Sequence, residues 1–230
     1  MLVFACISPH PPLLLPNVGS ITDRQKVKKT IKALELLAIK LETAEPDLVI
    51  ISSPHPDWGF SVPAHFLLAQ MKNVEWKMNN YQEANSTFSI INSQFVIYPI
   101  LTTLDSPEKH FQWGERIIQS IPNKLRLAWI ASGDMSHCLK KDGPYGFHSS
   151  GPKFDKSFVD LLKKKDIKGI LSLPEKLTEE AGECGLRSFC MLLGVLEGSK
   201  TQWQSEVLSY EGPFGVGYLV ANIRINPNDK

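Results

Sequence analysis

The chain has 230 residues, enough to build a full hydrophobic core without disulfide staples. Its 25 basic and 24 acidic residues leave a formal charge of +1, so no global field recruits nucleic acid or an anionic membrane surface. No apolar run approaches the roughly 18 residues needed to span a bilayer. The four cysteines, Cys6, Cys138, Cys184 and Cys190, form no C-x-x-C pair. Free, buried thiols therefore fit better than a disulfide framework. The first residues open directly on a strand without the features of a signal peptide, and a cytoplasmic location is expected.

Residues 2–7 are a short apolar run and predict a buried strand, closed by Ser8-Pro9-His10-Pro11. A helix is expected from Asp23 to Ala44, with Thr22 and Gln25 as a capping box. Val27, Ile31, Leu34, Ala38 and Leu41 would form its apolar stripe. Asp47 to Ser52 predict the next strand, closed by a second copy of the tetrapeptide, Ser53-Pro54-His55-Pro56. Strand–helix–strand order predicts a parallel pair covered by a crossover helix. Residues 57–104 mix aromatic and β-branched residues with polar turns, and predict short strands plus a loop over a site. Glu108 to Ser120 predict a helix that leaves His110 on the surface.

Leu125 to Ala131 predict a strand ending in Ser132-Gly133-Asp134-Met135-Ser136-His137. Beyond a glycine- and proline-containing loop, a helix carries Phe154, Phe158, Leu161 and Leu162 on one face. Glu179 and Glu180 fall at the exposed end of a helix. Gly182-Glu183-Cys184 then leads into an apolar helix from Gly185 to Leu196. Strands near Glu206–Tyr210 and Gly217–Ile225 close the chain. One α/β domain over residues 1–230 is expected, with a mostly parallel or mixed central sheet and helices on both faces.

The repeated tetrapeptide bears the chemistry. Proline fixes φ and pushes the preceding residue toward extended geometry, so each histidine leaves its strand on a stiff segment. Such an imidazole is pre-oriented, which suits a metal ligand. In open α/β sheets, ligands collect beyond the carboxyl ends of the strands. His10, His55 and His137 all fall there, and Glu183 supplies a carboxylate. Two histidines and a carboxylate with open positions form the ligand pattern of non-haem Fe(II) oxygenases. A structural zinc would require four protein ligands, usually with paired cysteines. Cys184 is the alternative metal ligand beside Glu183, and its thiolate would favour zinc or copper. Asp134 either orients His137 or caps a turn. His65 either lines the pocket or packs; Arg187 binds a substrate carboxylate or pairs with a structural acid. Trp58, Phe60, Tyr210 and Phe214 either wall an aromatic pocket or belong to the core.

Ile7-Ser8-Pro9-His10-Pro11-Pro12, Ser53-Pro54-His55-Pro56, Ser132 to His137, and Ala181-Gly182-Glu183-Cys184-Gly185-Leu186-Arg187-Ser188 together resemble the motifs of the class III extradiol dioxygenase superfamily. That superfamily is typified by the β subunit of protocatechuate-cleaving dioxygenase. Asp142-Gly143-Pro144-Tyr145-Gly146 and Ser209 to Tyr218 resemble one branch of it, the dioxygenase-like domains found alone or fused to an AMMECR-type domain, alongside Memo-like proteins. The resemblance covers essentially the whole chain. It implies Fe(II) on His10, His55 and Glu183, with zinc as the alternative metal and His137 as acid/base. The implied reaction opens a catechol- or aminophenol-like aromatic with O2. The alternative is a Memo-like metal-binding, redox or scaffold protein without ring cleavage, and Memo-like relatives carry a cysteine near position 184. A homo-oligomer or an AMMECR-type partner domain is implied as partner, with neither nucleic acid nor membrane.

Overall fold

The computed structural model describes residues 1–69, 71, 75–78, 88–91 and 95–226. Strands β1 (Leu2–Ser8), β2 (Leu48–Ser53), β3 (Glu75–Met78), β4 (Phe88–Ile91), β5 (Val96–Leu101), β6 (Leu127–Ser132), β7 (Gln202–Glu211) and β8 (Tyr218–Asn226) form two sheets. The larger is mixed and runs in the order β5-β2-β6-β1-β8-β7, while β3 and β4 pair separately as an antiparallel ribbon. Helices α1 (Ile21–Lys26), α2 (Lys28–Thr43), α3 (Trp58–Leu67), α4 (Pro107–Ser120), α5 (Ser150–Lys164), α6 (Ile167–Leu171), α7 (Glu175–Ala181) and α8 (Leu186–Gly198) connect them. The α/β class with a mixed sheet and helices on both faces is as expected.

Strand periodicity divides the core. Ala5, Ile7, Trp129 and Ala131 face a cluster containing Phe158, Phe189 and Met191, whereas Phe4, Cys6, Ala128 and Ile130 face Leu34, Leu37 and Leu41 of α2. Consecutive strand residues point to opposite faces, so a strand buried on both faces reads as an unbroken apolar run. The first sheet face is closed by α4 and α8, whose backbones meet closely. A Cβ on Gly114 would lie 2.0 Å from Met191 O, and one on Gly194 would lie 1.9 Å from Phe111 O.

Four expectations are corrected. β1 and β2 are parallel but not neighbours, because β6 lies between them and pairs in parallel with both. The first helix divides at Val27, whose fully buried side chain turns into the core, and its N-cap is Ser20, which accepts from Asp23 N–H, rather than the Thr22–Gln25 pair. Residues 58–67 form a helix rather than short strands, capped by Asp57 and tolerating Pro63 in its interior. His110 is buried, not exposed. Its Nδ1 reaches Ser106 O at 2.9 Å and its Nε2 accepts from Thr103 N–H at 3.1 Å, closing the first turn of α4. Much of the expected loop over the site falls on residues 70, 72–74, 79–87 and 92–94, outside the described residues. No helix among the described residues is long and apolar enough to cross a membrane.

Candidate metal centre

The three parallel strands β2, β6 and β1 lie side by side and each ends in a buried serine: Ser53, Ser132 and Ser8. Ser8 is in register with Ser132, and Ser52 with Ala131. Two residues beyond each serine stand His55, Asp134 and His10. Equal strand endings and equal offsets thus bring these three residues to the carboxyl edge of the sheet, where open α/β folds hold their ligands. The exits are pinned locally, His55 N–H donating to Ser53 Oγ and His10 N–H to Asp134 Oδ1 at 3.0 Å.

The loop before α8 closes on this edge because two glycines allow it. A Cβ on Gly133 would fall 2.3 Å from Gly185 Cα, and Gly185 N–H donates to Asp134 O at 3.0 Å. Cys184, next in sequence to Gly185, is thereby seated against the strand ends. Its Sγ accepts from Asp134 N–H at 3.3 Å and lies 3.5 Å from His10 Nε2. The His10 and His55 rings are edge to face, 5.2 Å apart.

Two groups of donors emerge among the described residues: His10, His55 and Cys184, and Asp134, His137 and Cys184. Within each, the ligand atoms all lie within 4.8 Å of one another. Ligands around a cation with bonds of about 2.1 Å stand roughly 3.5 Å apart, so small side-chain rotations suffice. His10 Nδ1 is engaged by Ser132 Oγ at 3.0 Å, which leaves Nε2 directed at the cluster, the arrangement by which an outer partner fixes a ligating imidazole. Burial, with His55 nearby, drives the His10 pKa down to about 3, so the ring is neutral and its lone pair is available. Burial pushes the Asp134 carboxyl up to about 6 and the Cys184 thiol well above its ordinary value. A bound cation acts in the opposite direction on both. The donors present fit a divalent metal.

His137 is carried by the loop after β6, and its N–H donates to Ala181 O. Its Nε2 is buried and has no hydrogen-bond partner among the described residues. Burial lowers its pKa, with Asp134 opposing that shift. The ring of Tyr145 lies 4.9 Å away, tilted by 36°. Asp134 is bonded to His10 through its Oδ1, so it serves that segment while also facing His137.

Glu183 stands elsewhere. Its Oε2 accepts from Leu186 N–H at 2.6 Å, capping α8, and it belongs to neither donor group. It lines a separate cavity of about 430 Å³ together with Ser106, Glu108, Thr178, Leu186 and Arg187. Burial raises its pKa to about 7. Arg187 Nε donates to Asp105 O at 2.9 Å, at the same cavity. Tyr210 hydroxyl donates to Asp155 Oδ2, and Phe214 lies beneath Lys26 Nζ at 5.1 Å. His65 sits in the last turn of α3 edge-on to Phe66, while Phe60 is buried in the core and Trp58 packs against it. All four cysteines are free; Cys6 and Cys190 are buried, and Cys138 and Cys184 are half-buried.

Sequence reasoning missed the support beneath the His137 loop. Asp155 of α5, almost fully buried, accepts from Ser136 N–H at 2.8 Å and from Tyr210 hydroxyl, while Ser136 Oγ donates to Ala181 O. An isolated aspartate inside an amphipathic helix gives no periodic signal; only its place on the Phe154–Phe158 face, one residue from a core phenylalanine, hints at burial.

Comparison with known proteins gives a matching family over residues 56–221, described as the catalytic LigB subunit of aromatic ring-opening dioxygenase. Protein CA_C1420 of Clostridium acetobutylicum is 29% identical over 273 aligned positions, covering 96% of this chain. The chain spans 57% of the length of that relative. Among solved structures, uncharacterized protein JW3007 from Escherichia coli K12 superposes with a TM-score of 0.51 at 13% identity, covering 96% of this chain and all of that one. That likeness concerns the fold.

Proposed function

This chain belongs to the family of the catalytic LigB subunit of aromatic ring-opening dioxygenase, and from that premise we propose that it uses a metal at His10, His55 and Cys184 to open a catechol- or aminophenol-like ring with O2. The observation that carries the reading is the convergence of those three donors beside His137, whose Nε2 has no protein partner among the described residues. Fe(II), when bound, supplies open positions at which O2 and the substrate oxygens meet. The chain's own residues do the rest. Ser132 holds His10 in the orientation that presents Nε2, and the stiff Ser-Pro-His-Pro segments limit how far either imidazole swings. His137, neutral near pH 7 because burial disfavours its charged form, accepts a proton from the substrate hydroxyl and returns it to the product. Tyr145 offers a flat face beside His137 against which an aromatic ring can lie.

The test is anaerobic loading with Fe(II), followed by a panel of catechols and aminophenols in air. A yellow ring-opened product is expected, and His137→Ala should abolish it while the metal stays bound. Colourless mixtures across the panel would contradict the reading. One observation favours a second reading: the group that completes a donor set with His10 and His55 is the thiol of Cys184. A soft sulfur ligand suits zinc or copper, and a Memo-like metal-binding or redox protein would retain either without opening any ring.

A further inference from the structure

We propose that the same cleft binds a second divalent cation, held by Asp134, His137 and Cys184, with Cys184 Sγ bridging it to the cation on His10 and His55. This rests on the reading that the cleft is a metal centre. The two donor groups are each complete at three residues, and they share only the sulfur of Cys184. A thiolate has lone pairs for two cations, and paired sites of this kind place their ions about 3.5–4 Å apart.

Three independent features of the second group call for a cation. Asp134 is 6% exposed, and its ion-pair partner among the described residues is His10 at 3.9 Å rather than a lysine or arginine. A buried carboxylate without a positive partner is costly, and such groups pair or coordinate metals. His137 Nε2 is buried without a partner among the described residues, although nearly all buried polar atoms are satisfied. Cys184 Sγ accepts from Asp134 N–H at 3.3 Å, so the soft donor already stands beside that residue. One cation between these three groups answers all three features. Two divalent ions bring four positive charges, of which the carboxylate and the thiolate offset two. The remaining two match a doubly deprotonated diol.

Occupation of this position takes up the nitrogen of His137 assigned above to proton transfer. Excess cation is therefore expected to suppress turnover by about 100-fold, the scale of one acid/base group.

The experiment is a titration of metal-free protein with Co(II) under argon, followed by native mass spectrometry and electron paramagnetic resonance. Two equivalents per chain are expected, the second coupling magnetically to the first through the shared sulfur. His137→Gln and Asp134→Asn should each reduce the count to one and leave an uncoupled Co(II) spectrum. Asp134→Asn keeps the oxygen that accepts His10 N–H, so it preserves the fold even if His137→Gln does not. Saturation of the unmodified chain at one equivalent would overturn the second site alone. Failure to bind any cation would overturn both this proposal and the metal centre on which it rests.

Discussion

Replacing Asp155 with asparagine isolates the buried carboxylate beneath the loop that carries His137. Its pKa is pushed up to about 6 from 3.8, chiefly by burial, against the opposing effect of the bonds from Tyr210 and Ser136. A shift of roughly two units corresponds to about 3 kcal/mol. The folded-state pKa is raised, so the folded protein binds more protons than the unfolded chain between pH 3.8 and about 6. The associated stability is present in full below that window and lost as pH rises through it. Asparagine keeps an oxygen for Ser136 N–H and does not titrate, while Tyr210 hydroxyl can turn to accept from the new amide. Urea unfolding of both proteins at closely spaced pH values measures the difference directly. The variant should gain on the native protein by about 3 kcal/mol across the window. Because the Asp155 charge also raises the Glu183 pKa, the variant should in addition titrate Glu183 lower. A difference that is flat with pH, or that slopes the other way, would refute the burial argument.

Gly133→Ala places a methyl group against Gly185 Cα, where neither backbone can retreat, and should cost about 1–3 kcal/mol in urea unfolding and weaken metal uptake; an unchanged midpoint with full metal affinity would contradict the close approach. Phe189→Ala removes a ring that is 1% exposed and lies 5.2 Å from Phe158 beneath the glycine pair, for an expected loss of about 3–5 kcal/mol by the same method. Pro99 sits on the edge strand β5, where Val96 N–H and Thr102 N–H bond inward to Asp47 O and Ser53 O, so alternate donors face outward and the proline interrupts them. Pro99→Val should therefore increase self-association in sedimentation velocity, since Val96, Tyr98 and Leu101 are already exposed there; identical sedimentation would argue against a protective role.

The strand-end histidines were legible because proline and an apolar run announce both the strand and its exit. Register could not be read in the same way. Insertion of β6 between β1 and β2 depends on pairing of distant segments, and a continuous apolar run carries no facing preference. The third ligand was open for a local reason: Glu183 and Cys184 are adjacent, and a single step along the loop decides which side chain faces the strand ends and which caps α8. Helix α3 was hidden by Pro63 and by aromatic residues that favour strands, and a side-chain cap from Asp57 with burial against the core outweighs both. His110 shows the same limit, since a helical histidine reads as exposed until its loop partners Thr103 and Ser106 are in place.

X-ray absorption at the metal edge of protein loaded with one equivalent of metal under argon tests the central claim most directly. A shell of two imidazole nitrogens and one sulfur is expected, with the sulfur lost in Cys184→Ser. A shell of nitrogen and oxygen alone, unchanged in Cys184→Ser and altered in Glu183→Gln, would place the carboxylate on the metal and contradict the assignment.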